Sequence, residues 1–142
     1  MIPRNSLRRE TSAVSLRTVM ESRRALGEGF APEEVLRVML SLTGALAAMH
    51  TASPHALLRP ESVMISPRGI LLVDGIVGVC VAPDRLYAQI QKRFASAVPY
   101  VAPEVSSGKR PTAPADLYAL GVIAVELLGG ATPDQGPDLS RA

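Results

Sequence analysis

The strongest periodic pattern in the chain lies between residues 32 and 50. Apolar side chains recur there every three or four residues and form one stripe, consisting of Val35, Leu36, Met39, Leu42, Leu46 and Met49. Pro32 and the two glutamates after it suit a first helical turn, where proline fits and carboxylates favour the positive end of the helix dipole. The pattern therefore predicts a helix that ends near His50, before Ser53 and Pro54.

Three further elements follow from the pattern. Apolar and charged residues alternate at helical spacing over 15–24 and stop at Gly27, which indicates a short helix. Aliphatic runs at 63–65 and 70–73, separated by the turn-like sequence SPRG, predict a small β-hairpin. The almost wholly apolar stretch 117–128 predicts a buried helix, because it leaves no polar face for solvent.

The rest of the chain lacks a regular pattern. Prolines at positions 83, 99, 103 and 111 interrupt residues 82–112, which are predicted to form a long ordered loop used for function or partner contact. Residues 1–14 are expected to be a flexible basic arm, and residues 131–142, rich in Pro, Gly and Asp, a flexible tail. These boundaries leave one domain, residues 15–130, with a mainly α (α+β) fold.

Composition narrows the possible functions. A chain of 142 residues with 47% apolar and 20% charged residues is typical of one globular domain. Its net charge of +2 is too small for a protein that binds along a polyanion such as nucleic acid. With no tryptophan and five Phe or Tyr residues, stacking platforms for nucleic acid are not expected. The longest apolar stretch, 70–82, is too short to cross a bilayer. We therefore expect a cytoplasmic protein that binds neither nucleic acid nor membrane.

The sequence gives no support for a metal site or a disulfide. Cys80 is the single cysteine, so it has no internal partner for a disulfide. The two histidines, His50 and His55, do not form a zinc-ligand pattern with it. We expect no structural metal and no cofactor.

Three segments, in chain order, resemble the large lobe of eukaryotic-type serine/threonine protein kinases of the kind common in bacteria. Residues 55–62, HALLRPES, resemble the catalytic loop, usually HRDLKPEN. Residues 99–104, PYVAPE, resemble the end of the activation segment, and residues 116–129, DLYALGVIAVELLG, resemble the buried central helix that follows it. The resemblance covers about residues 15–130. It implies a truncated kinase-like C-terminal lobe without the N-terminal lobe.

The resemblance also locates departures from the family's catalytic pattern. Leu57 stands where the catalytic Asp is expected, and Ser62 stands where the family has a metal-binding Asn. Asp74 is the residue that could match the metal-binding Asp, but Phe-Gly is missing after it. The stretch before Ser15 is too short for the Gly-rich loop and strand lysine. We therefore expect a pseudokinase that is not an enzyme and does not bind ATP.

The resemblance also implies roles for four other motif residues. It implies that His55 packs beneath the activation segment, and that Asp116 accepts backbone hydrogen bonds from the catalytic loop. Arg59 matches a loop lysine that contacts the transferred phosphate. Glu104 matches a glutamate whose arginine partner lies in a later helix of the family, so it must find another partner or stay solvated.

Two hypotheses for the function remain open. The first is a non-catalytic interaction or regulatory module, a scaffold in signalling. The alternative is a kinase fragment, or a nucleotide-regulated protein, completed by a small lobe from elsewhere. Because the central helix lacks the later helices of the family, Leu120, Ile123 and Leu127 are expected to be partly exposed and to be covered by a protein partner or a second copy of the chain.

Overall fold

The computed structural model describes residues 13–130, so the predicted tail and all but two residues of the predicted arm lie outside the described part. Within that part the fold has six helices, three strands and two 3₁₀ turns, which confirms the mainly helical fold class. The strands are β1 (Val14–Ser15), β2 (Val63–Ser66) and β3 (Gly69–Leu72). The helices are α1 (Leu16–Ala25), α2 (Pro32–His50), α3 (Val77–Cys80), α4 (Pro83–Arg93), α5 (Pro103–Ser106) and α6 (Ala113–Leu127), and the 3₁₀ turns span Pro60–Ser62 and Ala95–Tyr100.

The three strands form one antiparallel sheet in the order β1-β2-β3. The predicted hairpin is confirmed: β2 and β3 pair from Val63 with Leu72 to Ser66 with Gly69. Gly69 has φ +125°, a region that favours glycine, and it makes the tight turn possible. The third strand was not predicted, because Val14 was assigned to the arm although it pairs with Ile65.

The two N-terminal helices begin and end close to the predicted positions. Ser15 caps α1, since its Oγ accepts a hydrogen bond from the Thr18 backbone N–H at 3.1 Å. Helix α2 has the predicted bounds, and its first turn is held by Glu34, which accepts from the Ala31 N–H at 3.1 Å. Arg23 of α1 also bonds Glu34 and lowers the pKa of that carboxyl to about 2.

Helices α1, α2 and α6 enclose the main core. Leu120, Ile123 and Leu127 are 8%, 0% and 2% exposed, so the prediction that they are partly bare is wrong. The physical reason is that α1 and α2 of the same chain cover that side of α6. The main core consists of Leu16, Met20, Val35, Leu42, Leu46, Leu58, Val63, Tyr100, Ala119, Leu120, Val122, Ile123 and Leu127.

Residues 82–112 do not form the long ordered loop that their prolines suggested. Pro83 and Pro103 begin α4 and α5, at a position where the missing N–H of proline removes no helical hydrogen bond. Leu86 and Ile90, four residues apart, are both 1% exposed and bury one face of α4. They belong to a second core that consists of Leu57, Leu86, Ile90, Ala97, Val101, Ala102, Val105 and Ala115.

Helix α6 is also less completely buried than its composition predicted. Leu117 and Val125 are 55% and 50% exposed, and Leu128, directly after the helix, is 65% exposed. Between residues 13 and 130, no helix is both long and apolar enough to cross a bilayer.

Candidate functional site

The loop over residues 55–62 is fixed from below by one carboxylate. Asp116, in the first turn of α6, is 1% exposed. Its Oδ2 accepts from the His55 backbone N–H at 2.7 Å and from His50 Nε2 at 2.8 Å, and its Oδ1 accepts from the Ala56 N–H at 2.9 Å. These are the backbone contacts that the resemblance implies for this aspartate. They hold Ala56 at φ +69°, a left-handed conformation that alanine rarely adopts.

His55 is fully buried and is used at both ring nitrogens. Nε2 lies 2.6 Å from the Val73 carbonyl oxygen, and Nδ1 accepts the Leu57 backbone N–H at 3.2 Å. A carbonyl can only accept, so Nε2 carries the proton and Nδ1 is bare. Burial lowers the pKa of His55 below its ordinary value of 6.5, although the Val73 contact opposes this shift. His55 therefore ties the loop to the end of β3 as a neutral ring.

Two residues at the family's catalytic positions face inward. Leu57 is 3% exposed and belongs to the second core. The Ser62 hydroxyl is fully buried; it donates to the Arg59 carbonyl at 2.7 Å and accepts the Arg59 N–H at 3.0 Å. Position 57 thus offers an apolar surface, and the hydroxyl at position 62 is occupied in closing the 3₁₀ turn.

Arg59 and Asp74 form the charged part of the site. Arg59 is 6% exposed, and its Nη2 lies 3.3 Å from Asp74 Oδ2 while its Nη1 donates to the Leu57 carbonyl at 3.0 Å. Its guanidinium stacks over the Phe94 ring at 5.4 Å. The Asp74 side chain is 44% exposed, and the residue has φ +64°. Asp74 therefore presents a carboxylate to solvent beside a buried cation.

The side chains of this site do not fit the Mg²⁺ and nucleotide that protein kinases bind. Mg²⁺ needs several oxygen ligands in octahedral geometry. Of the three family positions, Leu57 has no donor atom, the Ser62 hydroxyl is taken, and only Asp74 offers a free oxygen. Across residues 13–130, no three His, Cys, Asp or Glu side chains are grouped so that they could hold a metal ion. No step of a reaction can be derived through a metal from these residues.

A second polar cluster was missed by the sequence analysis. Arg17 of α1 bonds Glu61 at 3.2 Å, Glu126 at 3.0 Å and the Tyr100 hydroxyl at 2.6 Å, and Tyr100 also donates to Glu126. Burial, followed by the hydrogen bond to Glu126, raises the pKa of Tyr100. The available signal was Glu126 itself, the one carboxylate in the apolar stretch 117–128. The cluster joins α1 and α6 to the turn that carries the PYVAPE motif.

Glu104 of that motif lies at the start of α5 and is half-buried. Among residues 13–130 its carboxylate has no ion pair; its backbone carbonyl accepts from the Ser107 hydroxyl and the Lys109 N–H, both at 2.9 Å.

Comparison with known proteins identifies the fold. No family model matches the chain. The serine/threonine-protein kinase PkaB of Streptomyces coelicolor is 33% identical over 132 positions, which cover 85% of this chain and 30% of PkaB. The probable serine/threonine-protein kinase pknA2 of Bifidobacterium longum is 30% identical over 105 positions, covering 73% of this chain and 14% of pknA2. This chain is a relative of the bacterial serine/threonine protein kinases.

The structure agrees with the relationship to kinases. The kinase domain of PknI from M. tuberculosis matches with a TM-score of 0.64 and 27% identity, over 89% of this chain and 45% of the PknI chain. The kinase large-lobe resemblance found in the sequence is thereby confirmed. The chain spans less than a third of the length of PkaB, and less than half of the matched PknI chain.

The expectation that the chain is not an enzyme is contradicted by these findings. It was drawn from the two departures at positions 57 and 62 and from the missing Gly-rich loop and strand lysine. The matching proteins from Streptomyces, Bifidobacterium, Lactococcus and Corynebacterium are all serine/threonine kinases by name, and the matching structure is a kinase domain. The relationship therefore points to a kinase, and the two departures do not by themselves decide the activity.

Proposed function

We propose that this chain is a large-lobe module of serine/threonine kinase signalling, and that it acts by binding a kinase-type polypeptide. That polypeptide supplies segments of a kinase domain that residues 13–130 do not form. The observation that carries the proposal is the set of exposed apolar side chains on α2 and α6, in a chain that matches less than half of the PknI chain.

Exposed apolar side chains on two packed helices support the proposal. Leu36 and Leu40 of α2 are 59% and 64% exposed, and they lie about 40° apart around the helix. Leu117, Val125 and Leu128 lie within about 80° of one another on and just after α6. Helices α2 and α6 pack against each other. Exposed apolar side chains on neighbouring helices are a usual mark of an interaction site, and we call these five residues the leucine surface.

A second candidate function is phosphotransfer by the assembled complex. The observations that favour it are the kinase relatives and the exposed Asp74 carboxylate beside Arg59. Because residues 13–130 do not make a metal site by themselves, this candidate requires further ligands from the partner. The two candidates differ in whether the complex transfers phosphate, and not in whether it forms.

Affinity capture from the native cells, followed by quantitative mass spectrometry, tests the proposal. The informative variant is Leu40→Glu, and Ser41→Glu is its control because Ser41 is an exposed neighbour on the same helix. A kinase-type polypeptide should be enriched with the wild type and the control, and reduced at least tenfold with Leu40→Glu. Capture of no kinase-type polypeptide, or equal capture by both variants, would overturn the proposal.

The captured complex also separates the two candidates. It is incubated with labelled ATP and a generic protein substrate, beside the isolated chain. Label incorporated by the complex and lost on Asp74→Ala supports phosphotransfer. A stable complex that leaves every protein unlabelled supports a binding role.

A further inference from the structure

A small apolar cavity lies between α3 and α4, next to Leu57. Its volume is about 150 Å³, a size at which an apolar cavity in a protein can hold a benzene ring. Neither the contacts of Asp116 nor the Arg17 cluster uses it. Its apolar walls consist of Leu57, Val77, Val81, Leu86, Ile90 and Phe94.

The polar groups around this cavity are neutral or positive. Gln89 and Arg93, one turn apart on α4, are its polar lining residues, and Arg93 is exposed to solvent. Within the described part of the chain, no acidic side chain lines the cavity. One part of a ligand that fills the cavity therefore contacts apolar side chains, and another part contacts the Arg93 guanidinium and the Gln89 amide.

A buried arginine lies behind the wall of this cavity. Arg59 stacks on Phe94 and donates to the Leu57 carbonyl, so it lies against two residues of the cavity wall. Asp74 is its one ion-pair partner among the described residues, and its buried Nε has no hydrogen-bond partner there. The ion pair with Asp74 thus leaves the Arg59 Nε as a buried donor without an acceptor, which favours a ligand that carries an acceptor over a cation.

We propose that the cavity binds a small aromatic carboxylate, with its ring among the apolar walls and its carboxylate on Arg93 and Gln89. The volume limits the apolar part to about one ring. The carboxylate matches the fork of donors that a guanidinium presents. The site is independent of the proposed function, since it does not include the leucine surface.

Binding of phenylacetate, followed by calorimetry and by chemical shifts of the Leu86 and Ile90 methyl groups, tests the site. Acetate provides the carboxylate without the ring, and benzyl alcohol provides the ring without the charge. Phenylacetate should bind with a dissociation constant below about 1 mM, at least tenfold tighter than benzyl alcohol. Acetate should leave the methyl shifts unchanged.

Two exposed neighbours give a matched pair of variants. Arg93→Gln should weaken phenylacetate at least tenfold and leave benzyl alcohol unchanged, whereas Lys92→Gln should leave both unchanged, because Lys92 does not line the cavity. Val77→Phe, which fills the cavity, should abolish both. The proposal is overturned if phenylacetate does not move the methyl signals, if acetate moves them equally, or if Arg93→Gln and Lys92→Gln behave alike.

Discussion

Asp116→Ala is expected to destabilise the protein and to release the loop over residues 55–62. Removing the carboxylate leaves the buried N–H group of His55 and the partly buried N–H group of Ala56 without their acceptor. Each unsatisfied buried donor costs about 1–3 kcal/mol. The third partner, His50, is partly exposed and can bond water instead. The expected loss is therefore about 2–6 kcal/mol, a large part of the stability of a domain of this size.

Urea denaturation measures the total effect, and native-state hydrogen exchange shows where it occurs. For a domain of about 100 residues, 2 kcal/mol corresponds to a fall in melting temperature of roughly 8 °C or more. The amides of His55 and Ala56 should exchange faster in Asp116→Ala. Glu21→Ala, at an exposed position on α1, is the control and should change stability by less than about 0.5 kcal/mol. If Asp116→Ala behaves like this control, or if both amides stay protected, the reasoning is refuted.

Three further changes test other parts of the site. Leu57→Asp puts a carboxylate into the second core and should cost about 4 kcal/mol or more in urea denaturation, whereas Leu71→Asp, at a position 65% exposed, should cost little; equal losses would contradict the inward placement. Because His55 has a lowered pKa, its contribution to stability is complete above pH 6.5 and lost as the pH falls below that value. The urea midpoint should therefore decrease as the pH is lowered from 7.5 to 5.5. His55→Gln should reduce this decrease, and an unchanged pH dependence of the midpoint would refute the assignment. Arg17→Gln removes the ion pair to Glu126 and should cost about 1.5–3 kcal/mol; a loss within error would show that the cluster contributes nothing.

The sequence predicted those elements whose periodicity is long or whose turn is distinctive. Helix α2 has an apolar stripe over 19 residues, and its predicted bounds are those observed. Helix α4 was missed because it has 11 residues and two fully buried positions, which the surrounding prolines outweighed. Those prolines begin helices, so the same residues that suggested a loop mark the first turns of α4 and α5.

Some contacts of the site could be predicted from the sequence and others could not. The contacts of Asp116 were predicted from the kinase resemblance, which rests on three motifs in a fixed order along the sequence. The link from Arg17 to Glu126 spans 109 residues and depends on how α1 lies against α6, which no local pattern contains. An apolar helix gives no moment that points to its buried side. Leu120 was expected to be exposed because the later helices of the family were taken to be missing, and the pattern did not distinguish Leu117 from it, although the observed exposures are 8% and 55%.

Hydrogen exchange on the purified complex, compared with the chain alone, tests the central claim most directly. If a kinase-type polypeptide covers the leucine surface, exchange should slow in peptides from α2 and from the C-terminal half of α6. Peptides from β2 and β3 should be unchanged, because they lie outside that surface. A complex that slows exchange only in the hairpin, or that leaves α2 and α6 unchanged, would contradict the account.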